Sequence, residues 1–347
     1  MKTVPVKPVQ LRRFDGNPII SPKPDSWWQC AVTTNPGAWY DPASRTVTML
    51  YRASAADAIH KVYLGRAVSG DGYHFDRVGD QPAVAPSDGF DGGCVEDPRI
   101  VKFGDWYFIV YASRPFPAGQ YWLKTPNEQW KPPFATADWP LCMRESLSSS
   151  GLLLTRDFQT YYRGGRITHP MLDDRDAILF PEKIGGRFAM LHRPMNWTGA
   201  KYGTDHPAMW VMQSDDVHNW DYNTSKFVAR AKFKWEKKIG GSTPPLRTKY
   251  GWFTIYHAVG SDLHYRLGAM LLDLDDPSKV LHRTPDWILQ PEAPYELDGF
   301  YKGVIFPCGN VVIDGTLFVY YGAADRFVGV ATCNLQEMLE WLVTCAP

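Results

Sequence analysis

The chain has 347 residues and carries 37 Lys plus Arg against 37 Asp plus Glu, so its formal net charge is zero. That balance excludes a general polyanion binder, which needs a basic excess or stripe, and no nucleic-acid partner is expected. Hydrophobic residues at 44% exclude a disordered chain, and no apolar run approaches the roughly 20 residues of a membrane helix.

In chain order, the N-terminus MKTVPVKPVQLRRFDGNP lacks the apolar stretch of a signal peptide and carries two early prolines, which predicts a cytoplasmic protein with no membrane partner. Five segments then share one pattern: a turn, a short apolar strand, a small polar turn, and a second apolar strand ending in an aromatic or His. They are NPGAWYDPASRTVTMLYRAS from Asn35, EDPRIVKFGDWYFIVYAS from Glu96, FPEKIGGRFAMLHRP from Phe180, TPPLRTKYGWFTIYHAV from Thr243, and FPCGNVVIDGTLFVYYGAAD from Phe306. The short links PAS, FGD, GG, KYG and DG are hairpin signals. Each segment has a proline near the start of its first strand (Pro36, Pro98, Pro181, Pro244, Pro307), where proline costs least. The second-strand anchors Tyr51, Tyr111, His192, Tyr256 and Tyr320 are 60, 81, 64 and 64 residues apart. The long interval holds a Pro- and Trp-rich stretch, 114–144, read as an inserted loop. SGDGYHFDRV, TRDFQTYYR and SDDVHNWDY read as polar turns leading into a second hairpin. The stretch 335–344 is predicted helical, with Asn334 as N-cap and Leu335, Met338, Leu339 and Leu342 on one face.

Four strands per repeat, five times over, predict an all-β fold. The expected architecture is a five-bladed β-propeller with a short C-terminal helix, forming one catalytic domain over 1–347. The near-constant period favours it over a two-domain β-sandwich. Repeats of roughly 40–45 residues with a Trp-Asp signature, the mark of a protein-interaction propeller, do not occur. Six scattered cysteines without a CxxC spacing suggest neither zinc nor a disulfide framework. The 14 Trp and 18 Tyr fit a site where rings stack on sugars, and equally fit strand-rich packing.

In a propeller the first strand of each blade lines a central channel, so equivalent repeat positions converge on one pocket. The charged residues near those positions are Arg52, Asp97, Arg99, Glu182, Lys183, His192, Arg193, His257 and Asp325, with Lys237 and Lys238 just before the fourth segment. Such a set serves two chemistries. Two carboxylates can flank a glycosidic bond, one protonating the leaving oxygen and one activating water. Alternatively, a single acid can face a cationic pocket that holds phosphate as the nucleophile.

VEDPRI (95–100), LFPEKIGGRFAMLHRP (179–194), KIGGSTPPLRTKYGWFTIYHA (238–258), GAMLLDLDDPSKV (268–280) and FPCGNVVIDGTLFVYYGAAD (306–325) resemble motifs of glycoside hydrolase family 130, over about 17–332. The resemblance implies a five-bladed propeller acting on β-mannosides. Most members are inverting phosphorylases that release α-mannose 1-phosphate, and a minority are β-1,2-mannosidases that use water. It implies Asp97 as the general acid, its proton passing through a sugar hydroxyl in the phosphorylases. It implies a phosphate site of Arg52, Arg193, Lys238 and His257. It also implies a mannose contact from Asp325, with Asn35, Arg99 and His192 beside the same subsite. The cationic set favours phosphorolysis of manno-oligosaccharides or mannosyl-glycoses, with inorganic phosphate as co-substrate and no metal or organic cofactor. The alternative is an inverting β-mannosidase in which Glu182, Glu236, Glu292 or Glu296 activates water. A non-catalytic sugar-binding propeller is the remote alternative, and a homo-oligomer is left open.

Overall fold

The structure of the chain, a computed structural model, describes residues 7–87, 89–120 and 132–347. Within them the hairpin signals become tight turns. Asp314 and Gly315 both take positive φ (47° and 81°), as do Gly185 and Gly186 (59° and 82°), the geometry whose twist matches that of paired strands. The middle of the 114–144 insertion, 121–131, lies outside the described residues.

The strands form antiparallel meanders. The N-terminal strand is β1 (Arg12–Arg13). The first meander is β2 (Val32–Asp41), β3 (Thr46–Ser54), β4 (Val62–Ser69) and β5 (Asp76–Arg77). The second is β6 (Cys94–Phe103), β7 (Trp106–Arg114), β8 (Ser149–Thr155) and β9 (Tyr162–Arg166). The third is β10 (Asp174–Leu179), β11 (Phe188–Pro194), β12 (Met209–Ser214) and β13 (Lys226–Ala229). In the fourth, β14 (Lys238–Gly241) and β15 (Leu246–Thr248) pair with β16 (Gly251–Val259), followed by β17 (Tyr265–Leu272) and β18 (Val280–Arg283). The fifth is β19 (Ile305–Ile313), β20 (Thr316–Ala323) and β21 (Phe327–Asn334), completed by β1, with Arg12 opposite Thr332. A single parallel bridge, Val62 to Cys94, links the first two meanders.

Alternating residues bury on opposite faces of each sheet. In β3, Met49 and Tyr51 join a cluster with Phe318 and Val330 of the fifth meander, while Leu50 joins Ile100 and Ile109 of the second. Large apolar clusters fill every gap between consecutive meanders, and another fills the gap between the fifth and the first. The first strands neighbour one another from β19 through β2, β6 and β10 to β14, and β17 returns to β19.

A repeated polar unit locks four meanders. Tyr51, Tyr111, Tyr256 and Tyr321 each donate a buried hydroxyl, at 2.8–2.9 Å, to Gln29, Asp91, Glu236 and Glu296 respectively. Each acceptor also holds an outer-strand arginine: Arg77, Arg163, Arg283 and Arg13. The rings lie over Gly65, Gly151, Gly268 and Gly329, where an added Cβ would come within 2.3–2.6 Å of ring carbon. Register therefore makes Tyr321, not Tyr320, the fifth anchor. Tyr320 instead donates to the carbonyl of Gly72.

The C-terminal helix, α1 (Leu335–Leu342), is capped by the Asn334 side chain, which accepts from the Glu337 amide at 3.0 Å. Met338, Leu339, Trp341 and Leu342 pack in the cluster between the fourth and fifth meanders. No helix among the described residues is long and apolar enough to cross a membrane.

Candidate active site

Three first strands break register at one equivalent place: between Thr34 and Gly37, between Glu96 and Arg99, and between Arg175 and Ile178. The leading residue of each bulge is left-handed, with φ of 42° at Asn35, 54° at Asp97 and 53° at Asp176. Asn and Asp tolerate that region better than bulky residues do, and a bulge re-aims the side chain it carries. All three residues line one cavity of about 440 Å³.

Asp97 stands at one pole. Its Oδ1 accepts from Asn35 Nδ2 at 2.8 Å and lies 3.8 Å from Arg52 Nη1. Arg52 Nε is 3.2 Å from Glu96 Oε2. Burial and the neighbouring Glu96 carboxylate push the Asp97 pKa up to about 6, against the opposing pull of Arg52, Arg99 and Asn35. A carboxyl that titrates there is suited to donate a proton.

The other pole is cationic around one carboxylate. Arg193 Nε is 2.7 Å from Asp176 Oδ2, Arg99 Nη2 is 3.6 Å from Oδ1, and His257 Nε2 is 3.7 Å from Oδ2. Arg99 ties the poles together, donating from Nε to the Ser242 carbonyl at 2.9 Å and from Nη1 to the Asp97 carbonyl at 3.2 Å. Gly240 leaves the room this needs, because a Cβ there would lie 2.2 Å from Asp176 Oδ2 and 2.7 Å from His257 Cε1. Arg175 also lines the cavity and pairs with Asp173 at 2.7 Å. Lys238 is half-buried, and burial together with Arg193 and Arg175 pushes its ammonium down to about 8. Its neighbour Lys237 points to solvent. Burial lowers His257 to about 3, with Arg193 and Lys238 adding to the shift and Asp176 opposing it, so the imidazole is neutral at pH 7.

Of the expected site residues, Asn35, Arg52, Asp97, Arg99, Arg193 and Asp325 line the cavity. Arg52 stands with the acid rather than with Arg193. His257 and Lys238 lie behind the cavity wall, beside Asp176 and Tyr265. His192 is a correction: it is buried away from the cavity, with Nδ1 3.0 Å from Asp174 and Nε2 3.1 Å from Ser225 Oγ. It fills the place that the anchoring tyrosine holds in the other meanders. The four glutamates are a second correction. Glu182 is exposed beside Arg247, and Glu292 is exposed beside Arg13. Glu236 and Glu296 belong to the repeated Tyr–acid–Arg unit. Glu236→Ala is therefore expected to cost about 3–5 kcal/mol of stability by stranding buried Arg283, with kcat retained at temperatures where the variant is folded. Thermal melts and rates on one sample check this, and loss of kcat in folded protein would return Glu236 to the chemistry.

Asp176, Arg175 and Glu96 were missed in the sequence. The available signal was distance to the anchor: Asn35, Asp97 and Asp176 precede Tyr51, Tyr111 and His192 by 16, 14 and 16 residues. Among the described residues, no group of three or more His, Cys, Asp or Glu could hold a metal ion.

An all-β chain whose cavity holds one near-neutral acid together with a set of fixed guanidiniums has the makings of a glycosidase or glycoside phosphorylase. Comparison narrows this: the chain belongs to glycoside hydrolase family 130. The family profile, described as β-1,4-mannooligosaccharide phosphorylase, matches residues 10–124 and 144–344. The chain is 34% identical over 339 residues to a 1,2-β-oligomannan phosphorylase of Thermoanaerobacter sp. strain X514, covering 95% of this chain and 99% of that one. It is also similar to the β-1,2-mannobiose phosphorylase of Listeria innocua solved with β-1,2-mannobiose. There the TM-score is 0.76 at 24% identity, with 96% and 99% of the chains covered. A structure from work on family members that hydrolyse β-1,2 mannosidic linkages in Candida mannan gives 0.74 at 19% identity, with 96% of each chain covered. At such identities the likeness speaks for the fold alone.

Proposed function

We propose that the chain catalyses inverting phosphorolysis of β-mannosides, releasing α-mannose 1-phosphate, in a single five-bladed propeller domain. The meanders are its blades, and the gap-filling clusters and neighbouring first strands support that closure. The observation that carries the activity is the charge of the cavity. Its wall holds five guanidiniums (Arg52, Arg99, Arg114, Arg175, Arg193) and four carboxyls (Glu96, Asp97, Asp176, Asp325). With Asp97 protonated as the acid, two positive charges are in excess, which matches a phosphate dianion.

Asp97 gives its proton to the departing sugar oxygen, through a substrate hydroxyl. Phosphate, held by Arg193 with Lys238 and His257 behind it, attacks the anomeric carbon from the opposite face as that C–O bond breaks. The proton brought in by hydrogenphosphate balances the one Asp97 releases. Donors fixed before the reaction stabilise the transferred charge without reorganisation. Arg52 and Asn35 hold the acid, and Asp325 binds mannose hydroxyls. No metal or organic cofactor takes part. A cytoplasmic setting suits the reaction, because phosphorolysis keeps the bond energy as a sugar phosphate.

The relative at 34% identity makes β-1,2-linked substrates the first choice. The test is product analysis on β-1,2- and β-1,4-mannobiose with and without inorganic phosphate. Mannose 1-phosphate formed only with phosphate is expected. Free mannose at equal rates in both tubes would mean a hydrolase.

A further inference from the structure

We propose that Asp176 is the specificity-determining residue of the anion seat: its carboxylate accepts a hydrogen bond from the O–H of hydrogenphosphate, so the seat takes proton-bearing tetrahedral oxyanions and refuses sulfate. The inference rests on the reading that this pole holds phosphate.

Asp176 is 6% exposed and lines the cavity. Its Oδ2 is buried and has no hydrogen-bond partner among the described residues. Arg193 Nε, 2.7 Å away, makes an ion pair without the alignment of a hydrogen bond, and His257 Nε2 at 3.7 Å is too far. A buried acceptor of this kind ordinarily finds a donor. The carboxyl is ionised: burial works against that, but the Arg193, Arg99 and Arg175 guanidiniums outweigh it and hold it below the usual range. An ionised carboxylate can only accept.

The other charged groups facing the seat are donors: Arg193 from β11, Arg99 from β6, Arg175 from β10 and Lys238 from β14. They bind any tetrahedral dianion. Above the second phosphate pKa, hydrogenphosphate and sulfate share charge and shape, so neither property separates them. Only hydrogenphosphate carries a proton. Sulfate would set oxygen lone pairs against Asp176 with nothing between. Sites built to pair with a ligand O–H reject analogues that lack it by about 10⁴-fold in favourable cases.

The experiment is phosphate-dependent turnover of β-mannobiose, at a pH above the second phosphate pKa, with sulfate as inhibitor. In the parent, the sulfate Ki is expected to exceed the phosphate KM at least about 100-fold. Asp176→Asn removes the charge and offers an amide N–H, so sulfate Ki should fall at least about tenfold toward the phosphate KM. Asp176→Glu should keep the discrimination. A parent enzyme whose sulfate Ki lies within about threefold of its phosphate KM overturns the inference without any variant, because the O–H would then carry under 1 kcal/mol. A folded Asp176→Asn enzyme that still refuses sulfate overturns it too. Turnover that ignores phosphate altogether is a different result: it removes the phosphate seat itself, and this inference with it.

Discussion

Asp97→Asn is expected to lower kcat by about 10²- to 10⁴-fold, the usual share of a general acid, while leaving the fold intact. The amide has the shape of the carboxyl but cannot give up a proton. Because the proposed role needs Asp97 in its protonated form, kcat/KM in the parent should fall as pH rises through about 6. In the phosphate complex the added negative charge raises that pKa, so the limb in kcat should lie at higher pH. Stability carries a matching signature. The folded pKa stands above the unfolded value of about 3.9, so protonated Asp97 stabilises the fold fully below that value. The contribution is lost as pH rises through about 6. Asparagine removes this loss, so the variant should melt no lower than the parent at pH 8 and show a flatter profile between pH 4 and 6. Substantial turnover by Asp97→Asn, in both reaction directions, would take the acid role away from this residue.

What the sequence made legible was local. Asp-Gly and Gly-Gly between apolar runs mark hairpins, because the turn geometry depends on those residues alone. Asp97 stood out because DPR sits at its bulge, as NPG does in the first meander. Asp176 occupies the third equivalent position but is followed by Ala177, so the motif is broken while the backbone geometry is kept. The misreadings of the glutamates come from long-range pairing. Glu236 meets Arg283 47 positions away, and Glu296 meets Arg13 across 283 positions. In one dimension such glutamates look unengaged and therefore catalytic. His192 and Arg193 are a matter of strand parity. Successive side chains take opposite faces, so Arg193 enters the cavity and its neighbour is turned to structural use. The same parity separates Lys238 from Lys237.

Arg193→Ala is expected to raise the phosphate KM at least about 100-fold, since hydrogen bonds between charged groups contribute about 1.5–3 kcal/mol each. Sugar binding should change far less. Arg193 is 5% exposed, and its Nη1 has no hydrogen-bond partner among the described residues. A buried donor ordinarily has a partner, and under the proposed function a phosphate oxygen would supply it. The same substitution also strips Asp176 of its nearest cation, and breaking a buried pair costs about 3–5 kcal/mol. Arg99 at 3.6 Å keeps the loss toward the lower end. A single variant therefore confounds binding with stability, and the double variant separates them. Adding Asp176→Asn to Arg193→Ala removes the stranded carboxylate and should restore most of the melting temperature. It supplies no cation, so the phosphate KM should stay high. Recovery of both together would mean that Arg193 serves only to neutralise Asp176, and that the anion is held elsewhere. Recovery of stability alone, with a phosphate KM well above that of the Asp176→Asn single variant, identifies Arg193 as the ligand, because the single variant accounts for any contact that Asp176 itself makes with phosphate.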